Sequence, residues 1–152
     1  MEIVAFSKAM QQSAADFFTA CFSAIGIPYS PTDRHADIAD IENNYMHNGC
    51  FWCLLDNGIL VGTAALRIID AENNIAELKR MFVHPDHQGK GHGKQLLDHA
   101  ITYARAQGFN KIVLDTRRQF TAAQHLYKSR GFKETEKYND NSRAELFFEL
   151  VL

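Results

Sequence analysis

Apolar residues recur along this chain at two periods, and the switches between them mark its elements. From Ser7 to about Ile25, the positions Met10, Ala14, Phe17, Phe18, Cys21, Phe22 and Ile25 are three and four apart. That spacing lays one apolar stripe along a helix, with Ser7 as its N-cap and Gly26 as its stop. A second helix is expected from about Ala36 to His47, with Ile38, Ile41 and Tyr45 facing inward. "EIVAF" ahead of them reads as a strand. The period then drops to two. "CFWCLL" and "ILVGTAALRII" flank Asn57-Gly58, a dipeptide suited to the positive φ angles of a two-residue hairpin turn. "IAELKRMFVH" alternates Ile75, Glu77, Lys79, Met81 and Val83 on one side with Ala76, Leu78, Arg80 and Phe82 on the other. Past Pro85 a long helix carries Leu96, Leu97, Ala100, Ile101 and Ala104, and Gly108 closes it. "KIVLDT" is a short buried strand, "FTAAQHLYKSRGF" a helix ended by Gly131, and "RAELFFELVL" a final strand.

The resulting order, βααβββαβαβ(β), predicts an α/β (α+β) fold with a central mixed β-sheet flanked by helices. Its three meandering strands should be antiparallel, and the crossover through the long helix parallel and right-handed. No repeat or linker interrupts residues 1–152, which read as a single domain.

Composition narrows the function. A formal net charge of −2 gives no reason to expect a polyanion partner such as duplex DNA, which needs a basic face. No apolar run reaches the ~18 residues of a membrane span, and "MEIVAFSKAM" lacks a signal-peptide pattern, so a cytoplasmic protein is expected. Cys50 and Cys53 resemble a redox pair but fall on a strand, where positions three apart face opposite ways. Buried structural cysteines are the better reading.

The stretch "HPDHQGKGHGKQ" (84–95) poses the central chemical question. Free N–H groups between a strand and a helix N-terminus suit a phosphate, and glycine lets an anion approach them closely. His84, Asp86, His87 and His92 would supply metal ligands on paper. A glycine-rich loop supports a rigid ligand set poorly, so no metal is expected. Neither the dinucleotide fingerprint nor the Walker A loop fits: Lys94 or Leu96 stands at the third glycine of the first, Gln88 and Gln95 at required positions of the second.

Gln88-Gly89-Lys90-Gly91-His92-Gly93 satisfies [Q/R]-x-x-G-x-[G/A], and "AAQHLYKSRGF" follows at a fitting distance. With these two motifs the chain resembles the GNAT superfamily of N-acetyltransferases, most closely over residues 60 to 133. The resemblance implies a GNAT-like acyl-CoA N-acyltransferase fold and acetyl-CoA as co-substrate. Amides of Gln88, Gly89, Lys90, Gly91, His92, Gly93 and Lys94 would hold its pyrophosphate. Met81, Phe82 and Val83 would pair with the pantetheine arm as an added strand, and an N–H near Val83 would steady the oxyanion. Many members carry an Asn where Phe120 stands here.

An amine of pKa ~10.4 is almost wholly protonated at pH 7, and a positioned base is worth about 10²–10⁴ in rate. Glu77 lies 11 positions before Gln88, where the histone-acetyltransferase branch of the family carries its base, so the resemblance implies it as the candidate base. A surface strand Glu paired with Lys79 or Arg67 is the equal alternative. As a base it would act directly or through water, on a strand face shared with Met81 and Val83. The match to the second motif implies Tyr127 as the candidate acid for the departing thiolate; the alternative is a Tyr packed beside Ala123 with its hydroxyl satisfied by a neighbour. The acceptor is expected to be a primary amine of a small molecule or peptide. Asp33, Asp37, Asp40 and Glu42 would suit a cationic amine but read more simply as a solvated face opposite Ile38 and Ile41. Dimers are common among proteins of this kind, so a homodimer is compatible. The alternative function is a non-catalytic acyl-CoA sensor or scaffold of the same fold.

Overall fold

In the computed structural model, which describes residues 1–152, the meander comes first in space as well as in sequence. Strand β1 (Glu2–Ala5) pairs antiparallel with β2 (Gly49–Asp56), β2 with β3 (Ile59–Asp70), and β3 with β4 (Ile75–Val83). The crossover helix α3 (His92–Ala106) carries the chain to β5 (Lys111–Thr116), which lies parallel to β4. Helix α4 (Thr121–Ser129) leads on to β6 (Lys133–Glu134) and β7 (Leu146–Val151). The sheet order is β1-β2-β3-β4-β5-β7-β6. The optional last strand of the expected order is met by the two-residue β6, too short for any period to mark its place.

Each face of the sheet buries its own core. On one, Leu96, Leu97 and Ala100 of α3 pack against Trp52, Leu66 and Leu78. On the other, Phe17, Phe18 and Phe22 of α1 (Gln11–Ala24) pack with Ile38, Ile41 and Phe51. Cys50 belongs to the first cluster and Cys53 to the second, and both are free thiols. Each large side chain taken fully from water stabilises the fold by about 1.5–3 kcal/mol.

Three local departures from the sequence pattern have physical causes. Ser7 makes no side-chain cap; its backbone carbonyl accepts the Met10 N–H at 2.8 Å, so a 3₁₀ turn (Lys8–Met10) precedes α1. The expected second helix is broken. Only Ala36–Ala39 (α2) is α-helical, and Glu42–Met46 forms a π-helical turn. At the break, the Asp40 carboxylate takes the N–H and Nδ2 of Asn43 at 3.3 and 2.8 Å, side-chain bonding that competes with the helix ladder. Ile38, Ile41 and Tyr45 are still fully buried.

The third departure reshapes the site. Arg80 has φ 53°, and the β3–β4 register slips between Thr63 and Ala65, the signature of a β-bulge. The Thr63 hydroxyl donates to the Arg80 carbonyl at 2.8 Å and holds the kink. Beyond a bulge the faces exchange. Ala76 and Leu78 face α3 before it, Met81 and Val83 after it. Glu77 therefore does not share its face with Met81 and Val83, as strict alternation predicted. It shares the α1 face with Phe82, whose ring meets Phe18 and Phe22 edge-on.

Candidate active site

Parallel pairing between β4 and β5 covers only Ile75–Glu77 against Lys111–Val113. Past that point the strands part and a cavity of about 830 Å³ opens between them. Its wall carries Glu77, Met81, Phe82, Val83 and Tyr127, and most of the glycine loop; Lys90 and Lys94 stand outside it.

The glycine loop presents a row of donors. Gly89 and Gly91 have φ 76° and 85°, a region closed to most L-residues, and no atom crowds the outer side of either. Gly91 is the N-cap of α3 and offers no side chain to satisfy the helix amides. The first of these amides to find a partner is Gln95, bonded to the Gly91 carbonyl at 3.1 Å. From Gln88 to Lys94, no backbone N–H has an acceptor in the protein. Gln88 turns its own side chain back to the Val83 carbonyl at 3.2 Å and ties the loop to β4.

The loop histidines do not converge. His84 Nδ1 accepts the Asp86 N–H at 3.2 Å, and the His87 ring lies 5.9 Å from His84 and 6.5 Å from His92. No group of three His, Cys, Asp or Glu is placed to hold a metal ion.

Strand alternation fixes the β4 backbone. The His84 N–H bonds the Val61 carbonyl across the sheet at 2.9 Å, so the N–H groups of Met81 and Val83 point away from β3, toward the gap. Tyr127 projects from α4 beside Phe132 and Phe148. Its hydroxyl has no hydrogen-bond partner, and burial, with Asp115 nearby, holds its proton on more tightly than in a free phenol.

Glu77 is only 3% exposed and heavily engaged. Arg67 Nε reaches Oε1 at 3.2 Å; the Tyr138 hydroxyl and Asn139 Nδ2 reach Oε2 at 2.6 and 3.2 Å. Asn139 also donates to Asp115 at 2.7 Å, joining both carboxylates of the cavity wall in one network. The stretch that supplies Tyr138 and Asn139 has mixed charge and no periodic signal, so nothing in it marks these residues as partners of Glu77.

Asp37 does not form part of a solvated face. It takes Arg80 Nε and Nη2 at 2.9 and 2.7 Å and the Tyr45 hydroxyl. Burial opposes its charge, but the Arg80 hydrogen bonds and charge prevail and hold its carboxyl below the usual range. None of Asp33, Asp37, Asp40 and Glu42 lines the cavity. The wall carries instead Arg34, Arg80, Arg117 and Arg143, four residues far apart in the chain that no motif or period groups. Phe120, the N-cap residue of α4, also lies on the wall.

The sequence model of the Acetyltransferase (GNAT) family matches residues 9–132. The N-acetylaspartate synthetase of Danio rerio is 38% identical over 117 residues, covering 74% of this chain and 41% of that protein. The chain spans between 33% and 50% of the length of the curated relatives it matches. A solved acetyltransferase of Streptococcus agalactiae superimposes with a TM-score of 0.87 at 28% identity, over 99% of this chain and 98% of that one. A Salmonella typhimurium protein solved with its cofactor acetyl-CoA shares the fold, with a TM-score of 0.77 at 24% identity over 99% of this chain and 93% of that one.

Proposed function

The chain belongs to the acetyltransferase (GNAT) family, and from that premise we propose that it transfers an acetyl group from acetyl-CoA to a primary amine, by direct attack in a ternary complex. One observation carries the reading: the run of unpaired amides from Gln88 to Lys94 at the mouth of the β4–β5 gap. A helix N-terminus stripped of acceptors and backed by its dipole suits a diphosphate.

Each residue then has a task. The loop amides hold the diphosphate, and the outward backbone of Met81 and Val83 pairs with the pantetheine arm. The amine nitrogen bonds to the acyl carbon while the Val83 N–H steadies the oxyanion. Collapse breaks the carbon–sulfur bond, and Tyr127 gives its proton to the departing sulfur. The proton lost by the amine travels to Glu77. Both Glu77 oxygens already carry donors, so it is reached along a hydrogen-bonded path through water.

A thiol-release assay with acetyl-CoA over a panel of amines tests the reading. Release that depends on an amine supports it. A thermal shift with acetyl-CoA and no release with any amine would instead favour a coenzyme-sensing domain.

A further inference from the structure

The cavity runs between β4 and β5, with the glycine loop at the N-terminus of α3 on one face of the sheet. On the other face its wall is rich in hydrogen-bond donors. Arg34 comes from the loop before α2, Arg117 from the turn after β5, and Arg143 from the loop before β7. None of these guanidinium groups has a carboxylate within hydrogen-bond reach. The nearest is Glu145, with Oε1 4.0 Å from Arg117 Nε, and that Nε is buried without a partner. Arg80, the fourth guanidinium on the wall, is already neutralised by Asp37. The two wall carboxylates are engaged as well, Glu77 by Arg67 and Tyr138, and Asp115 by Asn139 and Asn141.

His35 adds an uncharged donor. Its Nδ1 accepts the Ser30 N–H at 2.9 Å, which places the ring proton on Nε2. Nε2 has no partner in the protein, and the residue lines the cavity. The guanidinium groups are also close enough to disfavour one another. Burial first, then Arg143, Arg117 and Arg80, lowers the pKa of Arg34. Asp33 offsets part of this, but no carboxylate hydrogen-bonds any of the three guanidinium groups, and like charges gathered from separate loops are stabilised when an anion arrives.

Resting on the acetyl-transfer reading above, we propose that the acceptor is an acidic amino acid, whose carboxylates are taken by Arg34, Arg117 and Arg143 with His35 Nε2–H as a further donor. Two carboxylates answer three free guanidinium groups better than one, because each Arg fork matches a carboxylate edge. The arrangement opposes a polyamine, whose charge the arginines repel.

Calorimetry and the thiol-release assay, run on the intact chain, test this together. The probes are L-aspartate and L-glutamate, beside L-asparagine, L-glutamine and spermidine. The acids are expected to bind and to turn over at least about tenfold better in kcat/KM than their amides, the scale of a charged hydrogen bond. Arg143→Gln and Arg34→Gln should each raise the KM for the acid about tenfold or more and leave the KM for acetyl-CoA unchanged. Preference for the amides or for spermidine overturns the proposal. So does a variant that weakens acetyl-CoA instead, which would assign the arginines to the phosphates of the coenzyme. Arginine-dependent binding of the acids without acetylation would uphold the site and defeat the transfer reading. Acetylation of other amines with no binding of the acids would do the reverse.

Discussion

The Tyr138 hydroxyl donates to Glu77 Oε2 at 2.6 Å and joins the loop between β6 and β7 to the middle of the sheet. Tyr138 itself is held by an edge-on contact with Phe147 at 5.7 Å. The bond thus fixes the orientation of a carboxylate whose other oxygen is taken by Arg67. Tyr138→Phe keeps the ring packing and removes one donor from a buried charge. It should lower stability by about 1–3 kcal/mol in denaturant unfolding. It should also lower kcat with the KM for acetyl-CoA unchanged. Wild-type kcat in this variant would separate the β6–β7 loop from the chemistry.

Tyr127→Phe is expected to behave in the opposite way. The Tyr127 hydroxyl bonds to nothing in the protein, while its ring packs with Phe132 and Phe148. Removing the oxygen therefore leaves the melting temperature nearly unchanged. If the phenol protonates the leaving sulfur, kcat falls by about 10²–10⁴. Steady-state kinetics beside a thermal melt decides it: turnover equal to wild type excludes this hydroxyl as the acid.

The residues that announce themselves in the sequence are those bound to a period or a motif. Glycines between a strand and a helix read as an anion loop because backbone geometry dictates their place. The hairpin at Asn57-Gly58 and the apolar face of α3 were legible for the same reason. The bulge at Arg80 was not, because nothing in "LKRMF" marks a positive φ, and one extra residue exchanged the faces of all that follows. Glu77 stands out only through its place relative to the family's glycine motif, and its partners Tyr138 and Asn139 lie 61 and 62 residues away. The arginine group has the same origin. Arg34, Arg117 and Arg143 come from three loops, and only tertiary folding brings their charges together.

The loop itself can be tested apart from catalysis. Gly91 sits at φ 85° at the head of α3, and Gly108 at φ 81° beyond its far end. Alanine at either position costs about 1–2 kcal/mol, because an L-residue is strained there. Only Gly91 belongs to the row of free amides. Gly91→Ala should weaken acetyl-CoA binding about tenfold in calorimetry, while Gly108→Ala loses similar stability and binds as wild type. Equal affinities in the two variants would remove the loop from coenzyme binding.

His35 gives the fold a pH dependence of known sign. Its ring is 2% exposed, stacked on Phe22 at 4.1 Å and near-parallel to Tyr29 at 5.6 Å. Burial above all, then the charges of Arg80 and Arg34, depresses its pKa to about 4. In the unfolded chain the same ring titrates near 6.5. Between those values the unfolded state holds a proton that the folded state refuses, so stability falls with falling pH. The contribution is complete above about pH 6.5 and is lost progressively toward 4. Protonation at Nδ1 would also break the bond from Ser30. His35→Phe keeps the stack and removes the titration, at the fixed loss of that one hydrogen bond. Melting temperatures measured from pH 7 to 5.5, above the range where carboxylates titrate, should fall more steeply in the wild type than in this variant. Parallel slopes would mean that another group carries the dependence, and that the ring beside the arginines accepts a proton as readily as a free histidine.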